Sequence, residues 1–178
     1  GIPPHRQGHQ PRQRQQQGSP ARAIITAKNL SMIAVVGSGA GWSPALSARA
    51  LQALAQAGVE VLMFGQSFVD STFSLLVRRA ESEDSLNILQ RVFEEELATG
   101  IIREISRREP VASVSVVGAG AEDSFSLASR TFAALARQHT QVLDVAQAYS
   151  EYNVTFIVRQ ADVDAAVRCI HAELGLGA

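Results

Sequence analysis

Gln66 and Gln147 stand 81 residues apart (147 − 66 = 81), each closing a short run rich in apolar residues. A glutamine amide carries an acceptor oxygen and two donor hydrogens, so it suits an ammonium or a hydroxyl group. If residues 59–66 form a regular strand, Gln66 lies on the same side as Leu62 and Phe64. A polar side chain that continues an apolar face needs a partner, either a ligand or nearby backbone. Upstream of each glutamine lies a glycine loop. The first contains Gly37, Ser38, Gly39 and Gly41, the second Gly118 and Gly120. A helix start follows each loop, at Ser43-Pro44-Ala45-Leu46 in the first case and at Ser124 in the second. Unsatisfied amides at a helix start, aided by the helix dipole, suit a carboxylate.

Other chemistries fit the residues less well. Gly37-Ser38-Gly39-Ala40-Gly41 follows a strand-like run, as a dinucleotide-binding loop does, but position 42, where a third glycine belongs, is Trp42. Glu60 falls at the start of the next apolar run, whereas the ribose-binding acid belongs at its end. His139 and His171 are isolated from ligand-spaced cysteines or carboxylates, so we expect surface histidines and no metal. Asp123, Asp144 and Glu151 have no nucleophile grouped with them. Glu94-Glu95-Glu96 reads as a solvated helix face, and Arg49 and Arg130 either fix a helix by packing or meet a partner domain. With no triad, phosphate loop or metal box, we assign no catalytic residue, no cofactor and no metal. The net charge of −1 gives no basis for binding nucleic acid or an anionic membrane. Cys169 is the single cysteine, which fits a reducing cytoplasm, and no apolar run approaches the roughly 20 residues a membrane span needs. No secretory signal is expected.

The elements that position the glutamines come in duplicate. Residues 33–78 match residues 114–159 at the constant shift of 81 (114 − 33) without a gap. Ile33-Ala34-Val35-Val36-Gly37 meets Val114-Ser115-Val116-Val117-Gly118, Ala53-Leu54-Ala55 meets Ala134-Leu135-Ala136, and Val77-Arg78 meets Val158-Arg159. Each copy reads as strand, helix, strand, strand, helix. First strands are expected at 32–36 and 112–117, second strands at 59–66 and 141–147, third strands at 72–78 and 153–159. Ser43 and Ser124 are placed to cap the first helices, with Pro44 at the first helical position. Their apolar stripes read Leu46, Leu51, Leu54, Ala55 and Leu127, Phe132, Leu135, Ala136. Gly58 is suited to end the first helix in a left-handed conformation; His139, its equivalent, implies a different stop. Second helices are expected at 84–97 and 162–174.

Residues 100–105 supply a fourth strand for the first copy, but the second copy has none after its last helix. A three-stranded sheet exposes an unpaired edge. The strand-like segment 21–26 is therefore expected to cross over and complete the second module. This makes the fold α/β (α+β): two ferredoxin-like βαββαβ modules with antiparallel sheets and helices on one face, the first module inserted into the second. The division is a Gln/Arg/Pro-rich tail at 1–20, a completing strand at 21–28, a first module at 29–108 and a second at 109–178. The tail has too little apolar surface to fold and reads as a linker.

The Val35-Val36-Gly37-Ser38-Gly39 loop, the helix end from Ala48 to Val59 and the segment from Gln147 to Phe156 resemble the paired ACT domains at the C-terminal end of aspartate kinases. The likeness is strongest to those fused to homoserine dehydrogenase, and it covers residues 22–174. It implies a non-catalytic pair with one ACT domain inserted in the other, joined to a kinase domain in the parent chain and forming a homodimer. It also implies feedback inhibition by a bound end-product amino acid, threonine or next lysine, held between ACT domains near the first strand–helix loop. In the fused enzymes a threonine contact is the glutamine that closes the second strand, matched here by Gln66 and Gln147. Asp70, Trp42, Phe68 and Phe73 depart from the usual pattern, so the two sites are not expected to bind equally. A structural dimerisation module that has lost its ligand, or a stand-alone regulatory protein, is the alternative.

Overall fold

The computed structural model describes residues 21–118, 124–148 and 153–176. The expected tail at 1–20 and candidate residue Gly120 lie outside them. The strands are β1 (Ala21–Gly37), β2 (Met63–Ser67), β3 (Thr72–Arg78), β4 (Ile102–Gly118), β5 (Val142–Ala148) and β6 (Asn153–Arg159). The helices are α1 (Pro44–Gln56), α2 (Ser82–Val92), α3 (Glu94–Thr99), α4 (Ser124–Arg137) and α5 (Val163–Leu174). The six strands make one antiparallel sheet in the order β2-β3-β1-β4-β6-β5.

Two strands are much longer than their sequence indicates. Segments 21–26 and 32–36 are parts of one 17-residue strand, and the expected strand at 100–105 joins 112–117 in another that begins at Ile102. The residues between them, such as Lys28-Asn29 and Glu109-Pro110, are poor strand formers. Tertiary pairing overrides that preference, because β1 and β4 run antiparallel along nearly their whole length, from Ala21 opposite Gly118 to Gly37 opposite Ile102. The weak segment is absorbed as irregularity: the register shifts between Ala27 and Leu30, and Asn29 adopts φ 57°. The Asn29 amide then donates to Gln160 Oε1 at 2.7 Å. Residues 21–27 pair with the 113–118 half of β4, and residues 32–37 with its 102–108 half.

Each half of the sheet carries its own core against its helices. One gathers Ile33, Val35, Phe73 and Val77 under Leu46, Leu54, Leu89 and Phe93. The other gathers Val114, Val116, Phe156 and Val158 under Leu127, Leu135, Val163 and Ile170. A third cluster, Leu30, Leu76, Val111 and Ile157 with Met32, Met63 and Leu143, forms where the two halves meet. The sheet bends enough for Ser74 of β3 to donate to Asp144 of β5 at 3.3 Å, although three strands separate them in the sheet order. At the junction Glu109 accepts from the Ser82 hydroxyl at 2.7 Å, with Arg107 3.7 Å away. The Ser82 hydrogen bond, helped by the nearby arginines, holds its carboxyl below the usual range.

Several local expectations change. The second helix of the first copy is two helices, broken at Phe93, where φ is −106° and ψ 23°. The break turns Glu96 inward to 8 % exposure, so the acidic run is not a wholly solvated face. The buried stripe of α1 is Leu46, Ser47, Ala50 and Leu54, while Ala55 is exposed. In α4, Ala134 is buried where Phe132 and Ala136 were expected, and Phe132 is 42 % exposed with its ring edge-on to Phe156 at 4.9 Å. The buried stripe of each helix thus lies about one residue from the expected one. His171 is partly buried, with Nδ1 3.0 Å from the Leu176 carbonyl.

The first helices end alike. Gly58 has φ 77°, with its amide on Ala55 and that of Val59 on Leu54. His139 has φ 54°, with its amide on Ala136 and that of Thr140 on Leu135. The expectation of a different stop at His139 is thus corrected: paired backbone hydrogen bonds hold a non-glycine in the left-handed region. That conformation costs about 1 kcal/mol for a residue with a Cβ. His139→Gly is accordingly expected to raise the melting temperature by about 2–4 °C, measured by circular dichroism.

Candidate functional site

The site is built where β1 gives way to α1. Gly37 is fully enclosed: its amide donates to the Ser71 carbonyl at 2.6 Å, and a Cβ here would lie 2.4 Å from the Trp42 ring. Only glycine lets the indole lie flat against the strand end. Gly39 and Gly41 have φ of 101° and 79°, and the intervening chain is exposed. Ser38 is tied by its amide to the Ile101 carbonyl at 3.1 Å, which anchors the loop to the start of β4. Ser43 occupies the cap position of α1, but its side chain makes no capping hydrogen bond. The Leu46 amide turns back to the Ser43 carbonyl at 3.2 Å, and the Leu46 side chain belongs to the core. Ala45 is exposed in the first turn. Leu46 can therefore offer a ligand no side-chain contact, and the helix start presents backbone rather than side-chain chemistry.

Gln66 pairs directly opposite Phe73, and opposed residues on antiparallel strands share a face. Phe73 is 1 % exposed, and ring centroids of Trp42, Phe64 and Phe93 surround it at 5.7, 5.8 and 6.2 Å. The expected face is therefore correct, and it brings Gln66 and the glycine loop to one aromatic centre. The Gln66 Nε2 and Trp42 Nε1 atoms are both buried, and neither meets an acceptor among the described residues. In the second copy Gln147 pairs opposite Val154, so the backbone register repeats without the phenylalanine. Gly118 is the last described residue of β4, and α4 is described from Ser124 to Arg137.

Sequence reasoning noted Trp42 and Phe73 as bulky but not as the centre of the site. The signal lay in Gly37, an unbranched position five residues before a tryptophan. It also missed Ser71, a buried non-glycine at φ 51° whose carbonyl holds Gly37. The repeat-related arginines do structural work. Arg49 pairs with Glu96, donates to the Val92 carbonyl at 2.6 Å and lies over the Phe93 ring at 5.3 Å. Arg130 lies 3.4 Å from Glu173 and donates to its carbonyl at 2.6 Å. Both tie one helix of their half to the next, not to the sheet. Among the described residues no cluster of three or more histidine, cysteine or acidic side chains could hold a metal, and no helix is long and apolar enough to cross a membrane.

The model of the ACT domain family matches residues 33–93 and 114–174, two segments offset by the same 81 residues as the internal repeat (114 − 33, 174 − 93). The chain belongs to the ACT domain family. This ACT pair is 28 % identical over 153 residues to the bifunctional aspartokinase/homoserine dehydrogenase of Haemophilus influenzae, an alignment that covers 86 % of this chain and 19 % of that protein. It spans less than a fifth of such relatives. Its fold matches a crystal structure of aspartokinase alpha and beta subunits with a TM-score of 0.75 at 24 % identity, covering 88 % of this chain and 99 % of that one. The regulatory subunit of aspartate kinase from Thermus flavus matches with a TM-score of 0.70 at 22 % identity, covering 86 % and 98 %. The ACT pair therefore resembles the regulatory part of aspartate kinases.

Proposed function

We propose that this chain is the regulatory ACT pair of an aspartate kinase and that it binds threonine, with lysine next in order, to inhibit the attached kinase. The observation that carries the reading is the convergence of Gln66 with the glycine loop and uncapped α1 start around Phe73. Free amides at a helix start suit the carboxylate of an amino acid, and the glutamine suits its remaining polar groups. The likeness to proteins named as aspartokinases supports reading the attached enzyme as an aspartate kinase. On this reading the chain binds rather than catalyses, and occupancy shifts the kinase between two states, which typically takes about 1–3 kcal/mol of differential affinity.

The same reading divides the chain at residues 29–108 and 109–178, with 21–28 completing the second module; the register of residues 21–27 against 113–118 supports it. It also makes the protein a homodimer. β2 and β5 are the sheet edges, and Leu62, Phe64, Phe68 and Val69 along β2 and the following turn are exposed. An edge of that kind favours pairing with a second copy. Isothermal titration with threonine and lysine is expected to give saturable heat. Titrations of both, and of methionine and isoleucine, that stay flat would sink the proposal.

One observation favours a second reading, a dimerisation module without a ligand. The Trp42 ring already occupies the space above Gly37. On that reading Gln66→Ala changes dimer stability but nothing else.

A further inference from the structure

The end of α1 and one face of α2 border a cleft of about 460 Å³. That volume lies within the range of small-molecule sites. Glu81, just before α2, and Asp84 in its first turn line the cleft together with Asn87 and Arg91. Positions 84, 87 and 91 follow the helical repeat, so they share one face of α2. Val59 and Ile88, which pack against the core of this half, supply an apolar floor. The cleft also receives the negative end of α1: Ala57 is its C-cap, and no basic residue stands in its last turn. Acids near a helix start and a base near its end suit the helix dipole, and Glu83 meets that need from solvent. Glu81 does something else. Its Oε2 is buried and accepts no hydrogen bond among the described residues, whereas buried acceptors are almost always paired. Arg78, which feels the Glu81 charge, is taken up by Glu60 at 2.8 Å. At the repeat shift of 81 residues, Asp84 and Arg91 are matched by Ala165 and Ala172. The module therefore folds without these charges, and the cleft belongs to the first copy.

We propose that this cleft binds an ω-amino carboxylate, a molecule with an ammonium and a carboxylate at opposite ends of an aliphatic stem. The ammonium meets Glu81 and Asp84 and lies toward the negative end of α1. The stem rests on Val59 and Ile88. The carboxylate pairs with Arg91, whose planar fork of donors matches it. Asp84 and Arg91 stand seven residues apart, which is about 10 Å along a helix axis. An α-amino acid such as threonine carries both charges on one carbon and does not span that distance. A metal ion finds only two carboxylates in the lining and faces Arg91. The proposal goes beyond the effector reading and stands apart from it. The glycine loop lies at the other end of α1, a helix of 13 residues and about 20 Å.

Calorimetric titration of the intact chain with 6-aminohexanoate, hexylamine and hexanoate tests this. The zwitterion is expected to give saturable heat, and the two single-charge analogues to bind at least about tenfold more weakly. Asp84→Asn and Arg91→Gln change exposed residues, so both variants should fold as the wild type does, which circular dichroism checks. Each is expected to weaken 6-aminohexanoate about tenfold and to leave any heat from threonine unchanged. A flat titration with 6-aminohexanoate overturns the site. So does equal binding of hexylamine or hexanoate, or an unchanged affinity in either variant. The effector reading is then judged by threonine alone, since its residues lie outside this cleft.

Discussion

Phe73→Ala is expected to cost about 3–5 kcal/mol, the range for emptying a fully buried phenylalanine site. Phe73 is 1 % exposed and touches three other aromatic rings, so its loss leaves a cavity that Trp42, Phe64 and Phe93 line but cannot all fill. The three neighbours sit on different elements, the β1–α1 loop, β2 and the break between α2 and α3. Collapse of any one toward the cavity strains its own anchor. Urea denaturation followed by circular dichroism measures the cost, and Trp42 emission should move to the red as its ring loses its support. Val154, the repeat equivalent, is also buried, and Val154→Ala removes fewer atoms. It should cost less than half as much. Equal losses at the two positions would contradict the asymmetry of the two cores.

Arg49→Ala is expected to cost about 2 kcal/mol, more than Arg130→Ala. The glutamate partner decides the difference. Glu96 has a side chain only 10 % exposed and pairs with Arg49 alone among the described residues, whereas Glu173 is 26 % exposed and is shared between Arg130 and Arg137. Removing Arg49 leaves a carboxylate in a dry place without its cation, and also removes the donor to Val92 and the cation above Phe93. Because Arg49 itself is nearly half exposed, water screens part of the loss, and the upper end of the range for buried pairs is not reached. The hydrogen bond from Arg49 lowers the Glu96 carboxyl below the ordinary value of 4.5. A depressed folded pKa contributes stability above the unfolded value, and that stability is lost as pH falls through the folded one. The wild type should therefore lose stability below about pH 4.5, and Arg49→Ala should show a shallower loss over the same interval. A melting-temperature series from pH 7 to pH 3 on both proteins checks this.

Much of this architecture can be read from residues alone, because duplication makes each assignment answer to a second copy. The glycine at 37 and its equivalent at 118, the arginines at 49 and 130 and the glutamines at 66 and 147 declare one module written twice. The hairpin strands β3 and β6 even share the same alternation of buried and half-buried positions. What escaped were features that no local pattern encodes. Lys28-Asn29 reads as a break because neither residue favours a strand, yet pairing with β4 on both sides carries the strand past them with a shift in register. Glu96 reads as a surface acid because its neighbours are acids, and only the break at Phe93 turns it toward Arg49. His139 reads as an obstacle to a left-handed stop, yet two backbone hydrogen bonds hold it there.

The candidate site divides in the same way. The sequence by itself determined the duplicated module, the order of elements along each copy, the positions of the glycine loop and the glutamine, and the face on which Gln66 lies. These follow from periodicity and from chain connectivity, which are local. Only the tertiary structure decided that Trp42 lies flat on Gly37 and that Gln66 pairs with Phe73. It alone showed that the Trp42 and Gln66 side-chain nitrogens are buried without acceptors among the described residues. Packing and desolvation depend on which surfaces meet, and residues 37, 42, 66 and 73 meet only when the chain is folded.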